Sequence, residues 1–507
     1  MIRRTRAVLA LTAVVGLLAA CGTQVNSATR RQLAAQQLEQ TGGGVANTAP
    51  ITGGSEPVNP GTVPSEPGTV GSLPPVTGGS GAQSGGTGGS GTTTTGGKAG
   101  GKTGSTTTST TSSNGLPPGV GAPAPAGGNG GSTDVGVTAT QILLGNVSDL
   151  SGPQPGLFQS AVNGTNAYIA YVNSLGGIYG RQLKIDVADS QTSCEGDRNG
   201  IDEEVGKVFA FAGSASLNDQ CGATVLAAHK TVPDAHLAVT PQANALPNNY
   251  SVTPIGTKVG NGEFQWGTSR FGRDDVEHTG FLWANLPAVN NVASLSMQSA
   301  ATAGWKFIVH SSVSPTSTDF TAQIIQMRQA GVKLFYTLFD AQELAEFVRN
   351  ANQQNFHPLI VAPLAYDQTF FTDLGNASLA NGIYGFNGET MFFSAGDIAH
   401  IPATALFHKW YAAVTGNGPA DSFAADAWAE TELLVDAIGS VGPDLTRQKV
   451  LAALSKVHSY DADGFFAPSD PAAKQAGNCF VPWVIKDGQY VRTGVSPTKF
   501  VCQGTHG

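Results

Sequence analysis

Few residues in this 507-residue chain are spaced for chemistry. The octapeptide GGKAGGKT, Gly96 to Thr103, satisfies the G-x-x-x-x-G-K-T phosphate-loop pattern. That motif works only when a buried strand and a helix aim its backbone amides at phosphate, and glycine, serine and threonine flank it here, so it reads as a low-complexity coincidence. No G-x-S-x-G elbow and no H-E-x-x-H pair occurs, and the nine histidines are scattered. The nearest two, His229 and His236, fall at the end of one expected helix and the start of the next strand, which separates them as metal ligands. Asp274, Asp275 and Glu277 crowd one short stretch that a solvated turn explains better than a catalytic carboxylate pair. The pattern points away from an enzyme, and no cofactor or metal is expected.

The cysteines say more. The opening MIRRTRAVLALTAVVGLLAACG places Arg3, Arg4 and Arg6 before an apolar run that ends in Leu18, Ala19, Ala20 and Cys21. A membrane span needs about 20 apolar residues, and this run is shorter, so the stretch reads as a bacterial lipoprotein signal with Cys21 as the lipidated residue. That places the mature chain outside the cytoplasm, held to the membrane by a lipid anchor. Of the five cysteines, Cys194, Cys221, Cys479 and Cys502 remain, an even number in two near pairs that suits disulfides in an oxidising compartment. A four-cysteine zinc site is the weaker alternative, because no C-x-x-C spacing occurs.

Charge excludes a further class. The chain carries 27 Lys and Arg against 36 Asp and Glu, and the part beyond Ser132 carries 20 against 33. So acidic a body is a poor phosphate binder, and no nucleic-acid partner is expected. From Gln40 to Ser132 the sequence is glycine, serine, threonine and proline, which cannot bury enough surface to offset chain entropy. Residues 22–133 are therefore expected to be a flexible linker, with a short helix over 26–40; the low-complexity part would average roughly 50–60 Å end to end.

Beyond Thr133 the texture changes to alternating strands and helices. QILLGNVSDLSG reads as a buried strand, and the helix that follows presents Phe158, Val162, Ile169, Val172 and Leu175 on one face. GGIYG stops that helix, since glycine adopts the left-handed C-cap conformation freely, and RQLKIDVAD returns as a strand with Leu183, Ile185 and Val187 on one side. This is a β-α-β unit. VFAFAGS and HLAVTP continue the first series of strands; GFLWAN, KFIVHSSV, KLFYTLF and LIVAPL, with helices between, form a second. A helix-rich return follows, and FVPWVIKDGQYVRTG closes the chain as a hairpin turning at Asp487 and Gly488, between Cys479 and Cys502. Two such series imply an α/β fold of two doubly wound, Rossmann-like lobes.

With those residues in view, the region from about Gly136 onward resembles the leucine/isoleucine/valine-binding-protein-like family, the type I periplasmic binding proteins that serve ABC importers. The matching pieces are ILLGNVSDLSGP, the pair Asn163–Gly164, YVNSLGGIYGRQLKIDVADSQTSC, LAVTPQANA, STDFTAQIIQMRQAGVKLFY and AWAETELLVDAI. The resemblance implies a signal over 1–21, the linker over 22–133, one lobe from 134–254 plus 387–468, and a second from 255–386 plus 469–507, joined by a hinge. It also implies a disulfide between Cys194 and Cys221. Ligands of open α/β sheets bind at the carboxyl ends of strands, so two facing lobes make a cleft that closes on a small molecule.

Carried over position by position, the resemblance implies ligand contacts at Leu157 or Phe158 after the first strand and at Ser214, Ser216 and Asn218 after the third. Gln242 and Asn244 would follow the fourth strand, with Phe339, Asp340 and Tyr366 in the second lobe. The acid that amino-acid-binding relatives use for the ammonium group falls nearest Leu364, with Asp340 as a candidate substitute. The function implied is capture of a small polar ligand, an amino acid such as a branched-chain one or a related amide or carboxylate, for an ABC permease, by a monomer. The alternatives are a sensor or scavenger on the same fold without transport and, less favoured, a cell-envelope hydrolase.

Overall fold

The computed structural model describes residues 116–254, 259–475 and 477–505. The Cys21 signal, the short helix over 26–40, the phosphate-loop look-alike, the linker up to residue 115 and the first residues assigned to the second lobe lie outside them. Among the described residues no helix is long and apolar enough to cross a membrane.

Two sheets organise the chain. In the first, β1 (Gln141–Ser148), β2 (Gln182–Asp189), β3 (Ala210–Ala212) and β4 (Asp234–Ala235) lie parallel in the order β2-β1-β3-β4. β1 pairs with β2 over its whole length, Gln141 opposite Gln182 through Ser148 opposite Asp189. β2 is the edge strand, so its one-sided pattern fades outward: Leu183 is fully buried, whereas Val187 is 37% exposed. The join between helix Gln159–Ser174 and β2 turns through Gly176, Gly177 and Gly180, all at positive φ, and a side chain at Gly177 would strike the Arg181 carbonyl. The strand expected over HLAVTP does not form: β4 ends at Ala235, one residue before His236. Beyond Ala235 the Asp219 carboxylate accepts from the Val239 and Thr240 amides, which takes those groups out of a ladder.

The second sheet contains β5 (Thr279–Ala284), β6 (Phe307–Val313), β7 (Leu334–Thr337), β8 (Leu359–Val361) and β9 (Tyr384–Asn387), in the order β9-β8-β7-β5-β6. These run parallel, and β10 (Cys479–Lys486) joins antiparallel to β9, followed by β11 (Gln489–Arg492) and β12 (Val501–Cys502). The β10–β11 turn has Asp487 and Gly488 both at positive φ, the conformation a two-residue hairpin needs. Disulfides link Cys194 to Cys221 and Cys479 to Cys502.

The chain crosses between the sheets at about 252–254, returns at 387–388 and crosses again before Cys479. The returning segment supplies helices Pro402–Thr415 and Ser422–Ser440, which pack on the first lobe's helix Gln159–Ser174. Gly164 lets the backbone at Ala424 approach, where any side chain would collide with the Ala424 carbonyl. Trp428 is only 1% exposed and sits edge-on to Tyr168 at 4.8 Å, inside the core.

The linker boundary moves. Residues 116–133 pack on the first lobe: Val120 is buried, the Gly121 amide donates to the Gly177 carbonyl at 2.8 Å, and Asn129 Nδ2 donates to the Ala139 carbonyl at 2.8 Å. The buried Arg181 guanidinium donates to the carbonyls of Asn129 and Gly131. Composition marks this glycine-rich stretch as linker because most of its contacts are made by backbone amides and carbonyls, which leave no mark on a hydropathy pattern.

Candidate functional site

In the first lobe the strand order reverses between β1 and β3, and the loops there are tied by side chains. Asp149, directly after β1, accepts from the Leu217 amide at 2.9 Å and from the Ser190 hydroxyl, linking the loops after β1, β2 and β3. Burial pushes its carboxyl upward while these bonds pull it back. Ser214 Oγ accepts from the Val147 amide at 3.0 Å, and Ser148 Oγ accepts from the Ala215 amide at 3.1 Å. Behind this layer His236 is buried and bonded to Asp234 at 2.7 Å; burial opposes its charge, yet the Asp234 carboxylate raises it to about 9.

Facing this crevice, the second sheet reverses between β5 and β7. One apolar cluster joins the two reversal points: Phe158, Ala161, Ala215, Leu217 and Ala427 from the first lobe, with Leu157, Val239 and Phe423 against them, meet Leu286 after β5 and Ala288 at the start of helix Pro287–Thr302. Phe158 and Phe423 pack edge-on at 4.7 Å. The cleft is thus closed here by apolar contact between lobes.

Deeper, at the hinge, lies a cavity of about 280 Å³ walled by all three crossings: Val252, Thr253 and Pro254; Asn387 and Gly388; Ala467, Gly477 and Asn478. The second lobe contributes Glu263, Val292, Ser296, Tyr336, Leu338, Pro363, Phe386 and Phe480. The walls are mostly apolar with a few polar groups, the usual make-up of a small-molecule site. Glu263 is the one acid or base among them besides the Tyr336 phenol, and burial pushes its carboxyl up to about 7. Asn387 Oδ1 accepts from Trp483 Nε1 at 2.7 Å, while its buried Nδ2 and the Asn478 Oδ1 find no partner among the described residues. Orphaned polar atoms at a cavity wall are places for a ligand or water to bond. No group of three or more potential metal ligands occurs among the described residues.

The residues singled out from sequence divide into three sets. Leu157 and Phe158 line the apolar seal, and Ser214 lies beside it; Ser216 sits one layer behind, accepting from the Asn218 amide at 3.1 Å. Asn218 precedes helix Asp219–Leu226 without capping it, Gln242 is exposed, and Asn244 is buried with Oδ1 unpartnered among the described residues. The second-lobe candidates have other tasks. Phe339 is fully buried among Phe320, Phe335 and Phe347, in the core rather than on a cleft wall. Asp340 caps helix Ala341–Gln353 in a capping box with Glu343. Tyr366 is 1% exposed, accepts from the Phe393 amide at 3.1 Å, and packs against Phe392, Phe393, Trp483 and Tyr490.

Sequence reasoning missed the hinge cavity and the carboxylates of Glu389, Asp426 and Glu430 beside it. The sequence carried little signal for them: Asp426 and Glu430 are two of four acids, with Glu432 and Asp436, in the helix segment AADAWAETELLVDAI.

Comparison with known proteins fits this geometry. Residues 141–489 match the family described as periplasmic binding protein. Among solved structures the chain is similar to a fatty acid ABC transporter substrate-binding protein from Thermomonospora curvata, with TM-score 0.60 and 18% identity over 73% of this chain and 95% of that one. It is similar also to a branched-chain amino acid transporter substrate binding protein from Streptococcus pneumoniae in complex with isoleucine, with TM-score 0.57 and 16% identity over 70% of this chain and all (100%) of the other. A leucine binding protein from Thermotoga maritima gives TM-score 0.58 and 16% identity over 70% and 98% of the two chains. No curated protein matches by sequence. These relatives are binding proteins of transport systems and not enzymes. With its two doubly wound lobes, triple crossing and family match over 141–489, the chain belongs to the periplasmic binding protein family and has the type I fold of ABC transporter substrate-binding proteins.

Proposed function

We propose that this protein is an extracytoplasmic lipoprotein, anchored through Cys21, that captures a small ligand between its lobes and presents it to an ABC permease. The observation that carries this reading is the cavity of about 280 Å³ enclosed by the three crossings, where a swing of one lobe on the other opens or closes the walls. Its mostly apolar surface suits an aliphatic body such as a branched side chain. Its acid, Glu263, and the Asn478 Oδ1 suit a neutral group that donates hydrogen bonds, such as an amide or hydroxyl. A ligand whose sole polar group is a carboxylate would meet Glu263 without a lysine or arginine in the described lining.

Differential scanning of the refolded, ligand-free protein against amino acids, amides, carboxylates and ureas tests this directly. A true ligand at 100 times its Kd stabilises by about 2.7 kcal/mol. The expected result is a saturable rise in Tm for one chemical class, together with loss of uptake of that compound when the gene is deleted. A melting point unmoved across the panel contradicts capture, and binding without any uptake defect favours a sensor or scavenger. Loss of membrane association on Cys21→Ala is the expected result for the anchor, and unchanged association would refute it.

A further inference from the structure

Three carboxylates lie along the stretch where helix Ser422–Ser440 passes the hinge. Glu430, fully buried, accepts through Oε1 from Ser251 Oγ at 2.6 Å and from the Val252 amide at 2.8 Å; its Oε2 is buried without a partner among the described residues. Asp426, one turn earlier and partly exposed, accepts from Thr253 Oγ1 at 3.3 Å. Glu389, on the returning crossing and 4% exposed, accepts from Ser422 Oγ at 2.6 Å. No ion pair reaches any of the three among the described residues, although a buried carboxylate ordinarily has one.

Asp426 and Glu430 face a cavity of about 10 Å³ that they share with Ser214 and the apolar Ala161, Ala215 and Phe423. That volume holds one water-sized group. The cavity lies between the apolar seal and the first crossing, because Phe423 belongs to the seal while Asp426 and Glu430 bond Thr253 and Val252 of that crossing. Resting on the reading that the cleft takes up a solute, we propose that Asp426 and Glu430 form the subsite for a cationic amine of that solute, held from the first lobe. An ammonium brings three donors and a positive charge, which satisfies the open Glu430 oxygen, the Asp426 carboxylate and the Ser214 hydroxyl together. Water would supply donors without relieving the like-charge repulsion.

The surroundings couple this binding to protons. Burial pushes Glu430 and Glu389 up to about 7 and Asp426 well above its ordinary range. Glu430 also faces His236, which lowers it, and Asp234, which raises it; Asp421 raises both Asp426 and Glu389. The empty cluster is thus largely protonated in mild acid, and an arriving ammonium displaces those protons.

The probes are isoamylamine and its neutral counterpart isoamyl alcohol, titrated by calorimetry into wild type, Asp426→Asn and Glu430→Gln at pH 6 and pH 8. In wild type at pH 8 the amine should bind at least about tenfold tighter than the alcohol, and about tenfold tighter than the amine does at pH 6. Both substitutions should bring the amine to the affinity of the alcohol and leave the alcohol unchanged. Equal binding of amine and alcohol, or a preference surviving both substitutions, overturns the proposal. Should Glu430→Gln fold poorly, the partly exposed Asp426 and the wild-type pH dependence still decide it. A ligand from the wider panel that lacks an amine overturns this subsite while leaving solute capture standing; silence from every compound overturns both.

Discussion

Replacing Glu430 with glutamine isolates the energetic effect of a buried, uncompensated carboxyl. The amide oxygen can still accept from Ser251 and Val252, so the substitution removes the charge and retains the two bonds that hold the first crossing. Burial holds the folded Glu430 at about 7 against 4.5 for the free side chain. Because the folded value lies above the unfolded one, the native state keeps a proton between those values that the unfolded chain releases. Stability therefore falls as pH rises through this window, and the penalty is complete above pH 7. At about 1.4 kcal/mol per pH unit the full effect is about 3 kcal/mol. His236, raised to about 9, acts in the same direction at higher pH, since its contribution is full below its unfolded value and is lost as pH passes 9. The assay is urea unfolding of ligand-free protein at pH 4.5 and pH 8, followed by the summed fluorescence of its six tryptophans. Relative to wild type, Glu430→Gln should gain about 3 kcal/mol between the two pH values, whatever constant difference the new amide NH2 adds at both. Parallel stability curves would show that Glu430 ionises freely in the fold and refute the reasoning.

Other outcomes follow from the same geometry. Removing the Cys194–Cys221 bridge, which closes a separation of 27 residues, should lower stability by about 3–4 kcal/mol in urea melts, and a loss under about 1 would contradict its role. A chain beginning at Thr133 loses the Asn129 and Gly131 carbonyls that receive the buried Arg181 guanidinium, and should be less stable by about 3–5 kcal/mol than one beginning at Leu116. Equal melting of the two would return residues 116–132 to the linker. Asp340→Ala should cost about 1 kcal/mol through its helix cap and leave ligand affinity unchanged; a large affinity loss would move Asp340 into the site.

The fold was legible because its signals are local. Glycines at 176, 177 and 180 that end a helix, Asp487–Gly488 in a tight turn and apolar residues repeating at helical spacing each report their own neighbourhood. The site was less legible because its groups depend on distant partners. Whether Ser214 faces a ligand or binds the Val147 amide, and whether Asp340 bonds an ammonium or caps a helix, is decided by backbone that arrives from elsewhere. The hinge cavity draws its wall from residues 252–254, 387–388, 467 and 477–478, which no sequence window brings together. Glu430 escaped notice since its helix is buried on nearly every side, so periodicity there reports packing alone.

The most direct test of capture at the hinge fills the cavity. Ser296, on the helix Pro287–Thr302, faces it, and Ser296→Trp would occupy the space while leaving the three crossings intact. Titrated with the strongest stabiliser from the ligand panel, a folded Ser296→Trp protein should lose at least about 100-fold in affinity relative to wild type, with its own Tm shifted by no more than the few degrees expected of overpacking. Undiminished affinity in a folded variant would place the ligand elsewhere and contradict the account.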